Sequence, residues 1–472
     1  MRPHQNGACR RRRSAHWKSN LDKTTQTLAN YVTGLTYDQL SATTIQETKK
    51  RLVDAIGCAI GGYTSEPAKI ACRVAANISG TPPARLFGTG NSTSMEMAAF
   101  ANAVMVRYLD FNDTYISKGS GHPSDMTAAI IAVAEAHRCS GKDTLLAIAI
   151  AYEAYAALAD QIPMRDLGWD QGVFAVLGTA AGVSKLLKLT AAQTGDALAI
   201  AVTANIPTRQ TRSGELAMWK GVATAAAARS GVNAALLAQA GMTGPTAAFE
   251  GKDGVWEKVT GKFQLNPMGG GVVQFGIERT NLKFFPSEYH SQAPLWITLE
   301  LRKKVAVAEI EAINVQTYFT AWSEIGSEPA KWAPKTRETA DHSLPYLLAL
   351  GFTDGRITVD SFSQQRINDP ALRQLMNRIK ISENKSFTQQ FPHKLMTEIE
   401  VITRDGKRLV ESAQYSKGHA KNPMTDADVE AKFRILCEGL MDAAQQNALL
   451  TALWNIEQAA DLSALLDLLV MK

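Results

Sequence analysis

Cysteine is scarce, and the five present, Cys9, Cys58, Cys72, Cys139 and Cys437, stand far apart with no Cys-x-x-Cys pair. That spacing excludes a disulfide framework and points to a reducing cytoplasm. It also argues against a cysteine-held iron–sulfur cluster, whose ligands usually come grouped. No run is long and apolar enough to span a bilayer. The best candidate, LLAIAIAYEAYAALA from Leu145, is short and carries Glu153 at its centre, so it reads as a buried helix. A P-loop, a dinucleotide fingerprint after a strand, an HExxH zinc pair and a GxSxG elbow are all missing. So are internal repeats and low-complexity tracts.

Acidic residues are absent from the first 21 positions, which hold Arg2, Arg10 to Arg13 and Lys18. The net charge of +5 becomes −1 without those six cations, so the remainder offers no general case for nucleic-acid binding. The leader itself fits a disordered tail, an organelle transit peptide that would make the protein mitochondrial, or a nucleic-acid-binding arm. It lacks the apolar stretch of a secretory signal. A non-enzymatic protein acting through Arg10 to Arg13 is therefore the remote alternative, and deleting residues 1–21 would abolish its function while sparing an enzyme.

What is present describes a globular protein. The chain has 472 residues, 45% hydrophobic and 20% charged, enough for two domains of unequal size. From Asp22 to Gln264 the pattern is helical. Thr43 and Gln46 fit a capping box, Leu52, Val53, Ile56 and Ile60 recur on one face, and Gly61-Gly62 marks a stop. A second helix starts at Thr190 with Gln193 three residues on. After Gly269-Gly270-Gly271 the character changes. EIEAINVQTYFTAW begins with period-two spacing, and LMTEIEVITRDGKRLVESA places two strand patterns around Asp405-Gly406, a favoured hairpin turn. Helical signals return after Pro423, where Thr425 and Asp428 fit a cap. The expected fold is mainly α. A large, discontinuous all-helical domain spans 22–271 and 417–472, and a smaller α/β lid domain spans 272–416.

Four clusters carry chemistry. YLDFNDTYISKGSGHPSD supplies Asp110, Asp113, Thr114 and His122, and proline after the histidine restrains where the imidazole points. TRQTRSGELAMWKG supplies Arg209, Arg212 and Lys220, cations suited to carboxylates. LKFFPSEYHSQ places Lys283, Glu288, Tyr289 and His290 where the domain character changes, a favoured place for a cleft. KTRETADHSLPY holds Lys335, Arg337, His342 and Tyr346. Taken singly, each also fits turns, helix caps or a solvated charged face.

Five segments, RLVDAIGCAIGG, LDFNDTY…GHPSD, TRSGELAMWKG, FPSEYHSQ and KTRETADHSLPY, occur in this order, and together they resemble the MmgE/PrpD family. That family includes 2-methylcitrate dehydratases and cis-aconitate decarboxylases. The similarity runs from Leu28 to beyond Phe362. It implies a homodimer and an interdomain site that uses neither metal nor organic cofactor. Family site positions fall on Asp110, Thr114, His122, Lys220, Lys283 and Tyr346. The decarboxylase branch typically carries histidine where LGWDQGVF has Asp170, and SEYHSQ resembles the dehydratase branch. The implied function is a hydro-lyase acting on 2-methylcitrate or a similar tricarboxylate, with no nucleic acid or membrane as partner. A cis-aconitate decarboxylase and an epimerase-like enzyme are the alternatives. The expected roles are charge stabilisation by Lys220 and Lys283, proton transfer by His122, and a second proton-transfer group in His290 or Asp110, unless Asp110 orients His122. Thr114, Arg212, Glu288 and Tyr346 are expected to bind substrate.

Overall fold

The computed structural model describes residues 21–471, and the expectations placed on the basic leader lie outside the described residues. Helix predominates, with Ala42–Gly62, Met95–Tyr108, Gly141–Ala159, Gly172–Leu186, Ala191–Ala204 and Ala223–Gln239 among the long elements. Small residues let these helices approach closely. On Gly172–Leu186, a Cβ at Gly182 would lie 2.7 Å from the carbonyl of Ala147 in the neighbouring helix, closer than real Cβ contacts allow. LLAIAIAYEAYAALA is buried within Gly141–Ala159, as its composition predicts.

Local signals are mostly obeyed. Leu52, Val53, Ile56 and Ile60 are buried on Ala42–Gly62. That helix is capped by Ser41, whose side chain accepts from the Thr44 N–H, not by the expected Thr43 box. Ser41 wins because it precedes the first helical residue, where an oxygen can meet the unpaired N–H groups. Thr190 and Gln193 form their reciprocal cap, as do Thr425 and Asp428.

Two principal hydrophobic cores result. The first gathers residues from Leu28 to Leu282 and from Met424 to Leu469, so the helices Asp426–Cys437 and Ala443–Trp454 return to it. The Gly269–Gly271 break was expected to end this unit, but Phe275, Ile277 and Leu282 pack inside it. Buried Glu153 fastens the segment by accepting from the N–H groups of Gly269 (2.7 Å) and Gly276 (2.5 Å).

The second core runs from Phe285 to Val401. A two-stranded ribbon, β1 (Ala84–Arg85) with β2 (Ser92–Thr93), lies earlier in the chain. The larger sheet comprises β3 (Ile310–Thr317), β4 (Ile379–Glu383), β5 (Thr397–Thr403) and β6 (Arg408–Ala413), ordered β4-β3-β5-β6. β3 and β4 are parallel and the other pairs antiparallel. The hairpin turns at Asp405-Gly406, with Gly406 at φ 83°. The helix Gln292–Arg302 packs on β5 and β6, the helix Leu344–Asp354 packs on that helix, and Ile399, Val401, Leu295, Leu301, Leu347 and Phe352 share the resulting core. Each such fully buried side chain contributes roughly 1.5–3 kcal/mol. Among the described residues no helix is long and apolar enough to cross a membrane.

Candidate active site

Where helix Met95–Tyr108 ends, Asp110 adopts φ 51°, a left-handed conformation that costs a non-glycine residue energy. Its surroundings hold it there. The carbonyls of four successive residues each accept from a cation: Tyr108 and Leu109 from Arg337 (3.1 and 3.4 Å), Asp110 from Lys283 (2.8 Å), and Phe111 from Lys432 (2.6 Å). Lys432 also bonds the carbonyl of Lys283 at 2.9 Å and pairs with Asp54 at 2.6 Å.

The Asp110 carboxylate is the hub of the site. One oxygen meets Arg107 and, at 2.7 Å, Lys283; the other lies 3.2 Å from Lys220. Burial opposes its charge, but Arg107, Lys220, Lys283 and His342 together hold the carboxyl well below the usual range. It therefore stays ionised and makes a poor proton carrier near neutrality. Burial pushes Lys220 down to about 8 and lowers Lys283, while Asp110 opposes both shifts.

Two imidazoles flank the hub, with the Nε2 of His122 3.9 Å from one Asp110 oxygen and that of His342 3.6 Å from the other. His122 Nδ1 bonds the carbonyl of Asp113 at 2.6 Å and lies 3.2 Å from the Thr114 hydroxyl. A carbonyl only accepts, so the proton sits on Nδ1 and Nε2 keeps a free lone pair. Burial, with Arg107 and Lys283 nearby, holds His122 well below its ordinary value. The GSGHPSD loop reaches this position because Gly121 has no side chain. A Cβ there would collide with Gln171 and Tyr155, and Gln171 instead accepts from the His122 N–H at 2.7 Å.

Glu288 and His290 arrive from the segment that begins the second core. Burial raises the Glu288 carboxyl to about 8, against the pull of Lys283, so it is protonated at neutral pH. Burial lowers His290 to about 3, and its Nδ1 shares a 2.5 Å hydrogen bond with the Tyr318 hydroxyl. Arg212 pairs with buried Asp170 at 2.6 Å. Across the opening, Glu324 of helix Phe319–Ile325 pairs with Arg165 at 2.8 Å and with Arg209.

These groups surround a cavity of about 160 Å³. Drug-sized sites run to roughly 300–1,000 Å³, so this one suits a small molecule. Seven Lys or Arg side chains line it against four Asp or Glu, together with His122, His290 and His342. Of the residues picked out by sequence, Asp110, Thr114, His122, Arg209, Arg212, Lys283, Glu288, Tyr289, His290 and His342 line the cavity. Lys220 lies behind it against Asp110. Tyr346 is not brought there: it is buried in the second core and its hydroxyl donates to the Ser361 carbonyl at 2.7 Å. The helix Leu344–Asp354 carries it inward, among the buried Leu344, Leu347, Leu348 and Leu350 of the second core.

Several site residues escaped the sequence, Arg107, Asp341, Arg165 and Glu324 among them. Arg107 is the single charge in the run AFANAVMVRY, and an unpaired charge in an apolar helix is itself a signal. Asp341 adjoins the singled-out His342, and Arg165 and Glu324 left no local signature. Asp110, Asp341 and His342 form the one acidic and histidine trio among the described residues close enough to share a cation. The Lys220 ammonium already lies within 3.6 Å of one atom of each.

The chain matches the MmgE/PrpD N-terminal domain over residues 26–268 and the MmgE/PrpD C-terminal domain over residues 285–458. It is 26% identical to the human cis-aconitate decarboxylase over 95% of both chains. It is 27% identical to the mitochondrial 2-methylcitrate dehydratase of Yarrowia lipolytica, over 85% of this chain and 81% of the relative. With the 2-methylcitrate dehydratase of Cupriavidus necator it shares 27% identity, over 92% and 93%. Both activities named among these relatives are lyase reactions. With two matches end to end covering most of its length, the chain belongs to the MmgE/PrpD family.

Proposed function

We propose that the protein is a hydro-lyase that dehydrates 2-methylcitrate or a closely similar tricarboxylate. The observation that carries this is the small cavity's excess of cations around three imidazoles. A tricarboxylate brings three negative charges to a lining with three more Lys and Arg than Asp and Glu, and the protonated Glu288 adds none of its own. Arg212, Arg209 and Arg165 offer planar donors for carboxylates, and Thr114, in the lining beside His122, offers a hydroxyl for a substrate oxygen.

Dehydration removes a proton beside a carboxylate and expels hydroxide as water. Charge that develops on the carboxylate is stabilised by Lys283 and Arg107, with Lys220 behind them, typically by a few kcal/mol per well-placed donor. Neutral imidazoles with a free Nε2 are suited to take the proton, and the protonated Glu288 to give one to the departing hydroxyl. This gives Glu288 a role beyond simple binding. The segment holding the second core acts as a lid, latched by Glu324 to Arg165 and Arg209. Asp170, committed to Arg212, stands where decarboxylases of this resemblance carry histidine, and this favours dehydration.

The test is a product assay with 2-methylcitrate, citrate and cis-aconitate that follows alkene absorbance and carbon dioxide together. Alkene from 2-methylcitrate without carbon dioxide is the expected result. Carbon dioxide from cis-aconitate would replace the proposal with a decarboxylase.

A further inference from the structure

The two imidazoles beside Asp110 look alike from the cavity and differ from behind. His122 leans on a neutral carbonyl, that of Asp113. His342 leans on a carboxylate: its Nδ1 lies 2.5 Å from Asp341 Oδ1. An imidazole that takes a proton at Nε2 becomes a cation. A buried anion at Nδ1 stabilises that cation and fixes the tautomer, whereas a carbonyl does only the latter.

Asp341 is itself held in place. It is fully buried, its other oxygen is 3.3 Å from Arg337, and its carbonyl accepts from the Glu288 N–H at 2.9 Å. Burial opposes its charge, but Lys220, His342 and Arg337 outweigh that and keep it below the usual carboxylate range. The groups facing His342 are Asp341, Asp110 and Lys220, with Glu324 and His290 further off. Burial, then Lys220, lowers His342 to about 4, so the ring is neutral and ready to accept a proton at pH 7. His342 lines the cavity and Asp341 does not, the arrangement expected of a base and the group that orients it.

We infer that His342, oriented and charge-compensated by Asp341, is the base that takes the substrate's proton, and that His122 binds and positions substrate. The inference rests on the dehydration proposed above. The C–H bond breaks, its proton goes to His342 Nε2, and its electron pair moves toward the adjacent carboxylate and into the new C=C bond. The C–O bond then breaks and the oxygen leaves as water with the Glu288 proton. The proton on His342 returns to solvent and Glu288 is reprotonated, so the cycle closes without an oxidant or reductant.

The experiment measures alkene formation from 2-methylcitrate across pH for the wild type and for His342→Asn, Asp341→Asn and His122→Asn, with thermal unfolding of each. His342→Asn is expected to lower kcat by ~10²–10⁴-fold with KM within a few-fold. Asp341→Asn removes the anion that favours the imidazolium, so the base stays unprotonated to lower pH and the acid limb of kcat/KM moves down. That limb distinguishes a proton-transfer partner from a merely structural aspartate. His122→Asn is expected to raise KM and leave the limb in place. A kcat for His342→Asn within tenfold of wild type would overturn the inference. So would an acid limb that Asp341→Asn leaves alone or that His122→Asn moves, and Asp341→Asn decides the matter if the histidine variant does not fold. A wild type silent on 2-methylcitrate would overturn the dehydration proposal and this inference with it.

Discussion

Lys283 reaches Asp110 twice, bonding its carboxylate at 2.7 Å and its main-chain carbonyl at 2.8 Å. The lysine thus binds both the charge and the left-handed backbone of one residue. Asp110→Asn would leave Arg107, Lys220 and Lys283 facing one another in a buried space. Breaking such a buried ionic group typically costs about 3–5 kcal/mol. The expected outcome is a stability loss of that order in urea denaturation, accompanied by loss of turnover.

Glu288 gives a pH signature. Its folded value of about 8 lies above the ordinary glutamate value of 4.5, so between those values the folded state holds a proton that the unfolded state has released. Stability therefore falls as pH rises through this window, by at most about 1.4 kcal/mol per pH unit from this group. Glu288→Gln removes the penalty. Urea midpoints of the two proteins at pH 5 and pH 8 should diverge, with the variant gaining on the wild type at the higher pH. An equal offset at both values would mean that Glu288 is ionised in the folded protein.

Tyr346 separates structure from chemistry. Its hydroxyl serves the Ser361 carbonyl inside the second core, away from the cavity. Tyr346→Phe leaves a buried carbonyl without its donor, at a cost of about 1–3 kcal/mol. The melting temperature should fall while kcat/KM remains within twofold. A selective loss of kcat would place the hydroxyl in the reaction after all.

Much of the fold was legible because its signals are local. The Asp405-Gly406 hairpin, the Thr190 and Thr425 caps and the buried helix around Glu153 each depend on residues only a few positions apart. The Gly269–Gly271 break misled because glycines report backbone freedom, not which core the following side chains join; Phe275 and Ile277 settled that by packing. Within the site, Asp110, His122 and Lys283 stood out by residue type and neighbours. The φ of Asp110, the pairing of Asp170 with Arg212 and the ion pairs of Glu324 depend on partners distant in sequence, so no window along the chain contains them. Lys432 was hidden differently: with Val429, Phe433 and Leu436 it belongs to the buried face of its helix, although its type suggests solvent.

That lysine makes a prediction of its own. Lys432→Met keeps most of the apolar stem but leaves the carbonyls of Phe111 and Lys283 and the carboxylate of Asp54 without their cation. Stability should fall by roughly 3–5 kcal/mol, as for other broken buried pairs. Because the Asp110 backbone is then held less firmly, kcat should drop in the fraction that stays folded, at temperatures well below the unfolding midpoint. Full kcat there would limit Lys432 to stability alone.

The four pinned carbonyls from Tyr108 to Phe111 also set a timetable. Their cations, Lys283, Arg337 and Lys432, are synthesised long after the segment they hold, the last of them 321 residues beyond Phe111. At about 5–20 residues per second, a ribosome delivers Lys432 roughly 15–60 s after Phe111. Until then the carbonyl of Phe111 lacks the cation that holds it, and the first core lacks its C-terminal helices. The hold on this loop is therefore complete only once the helix Asp426–Cys437, which carries Lys432, has been made.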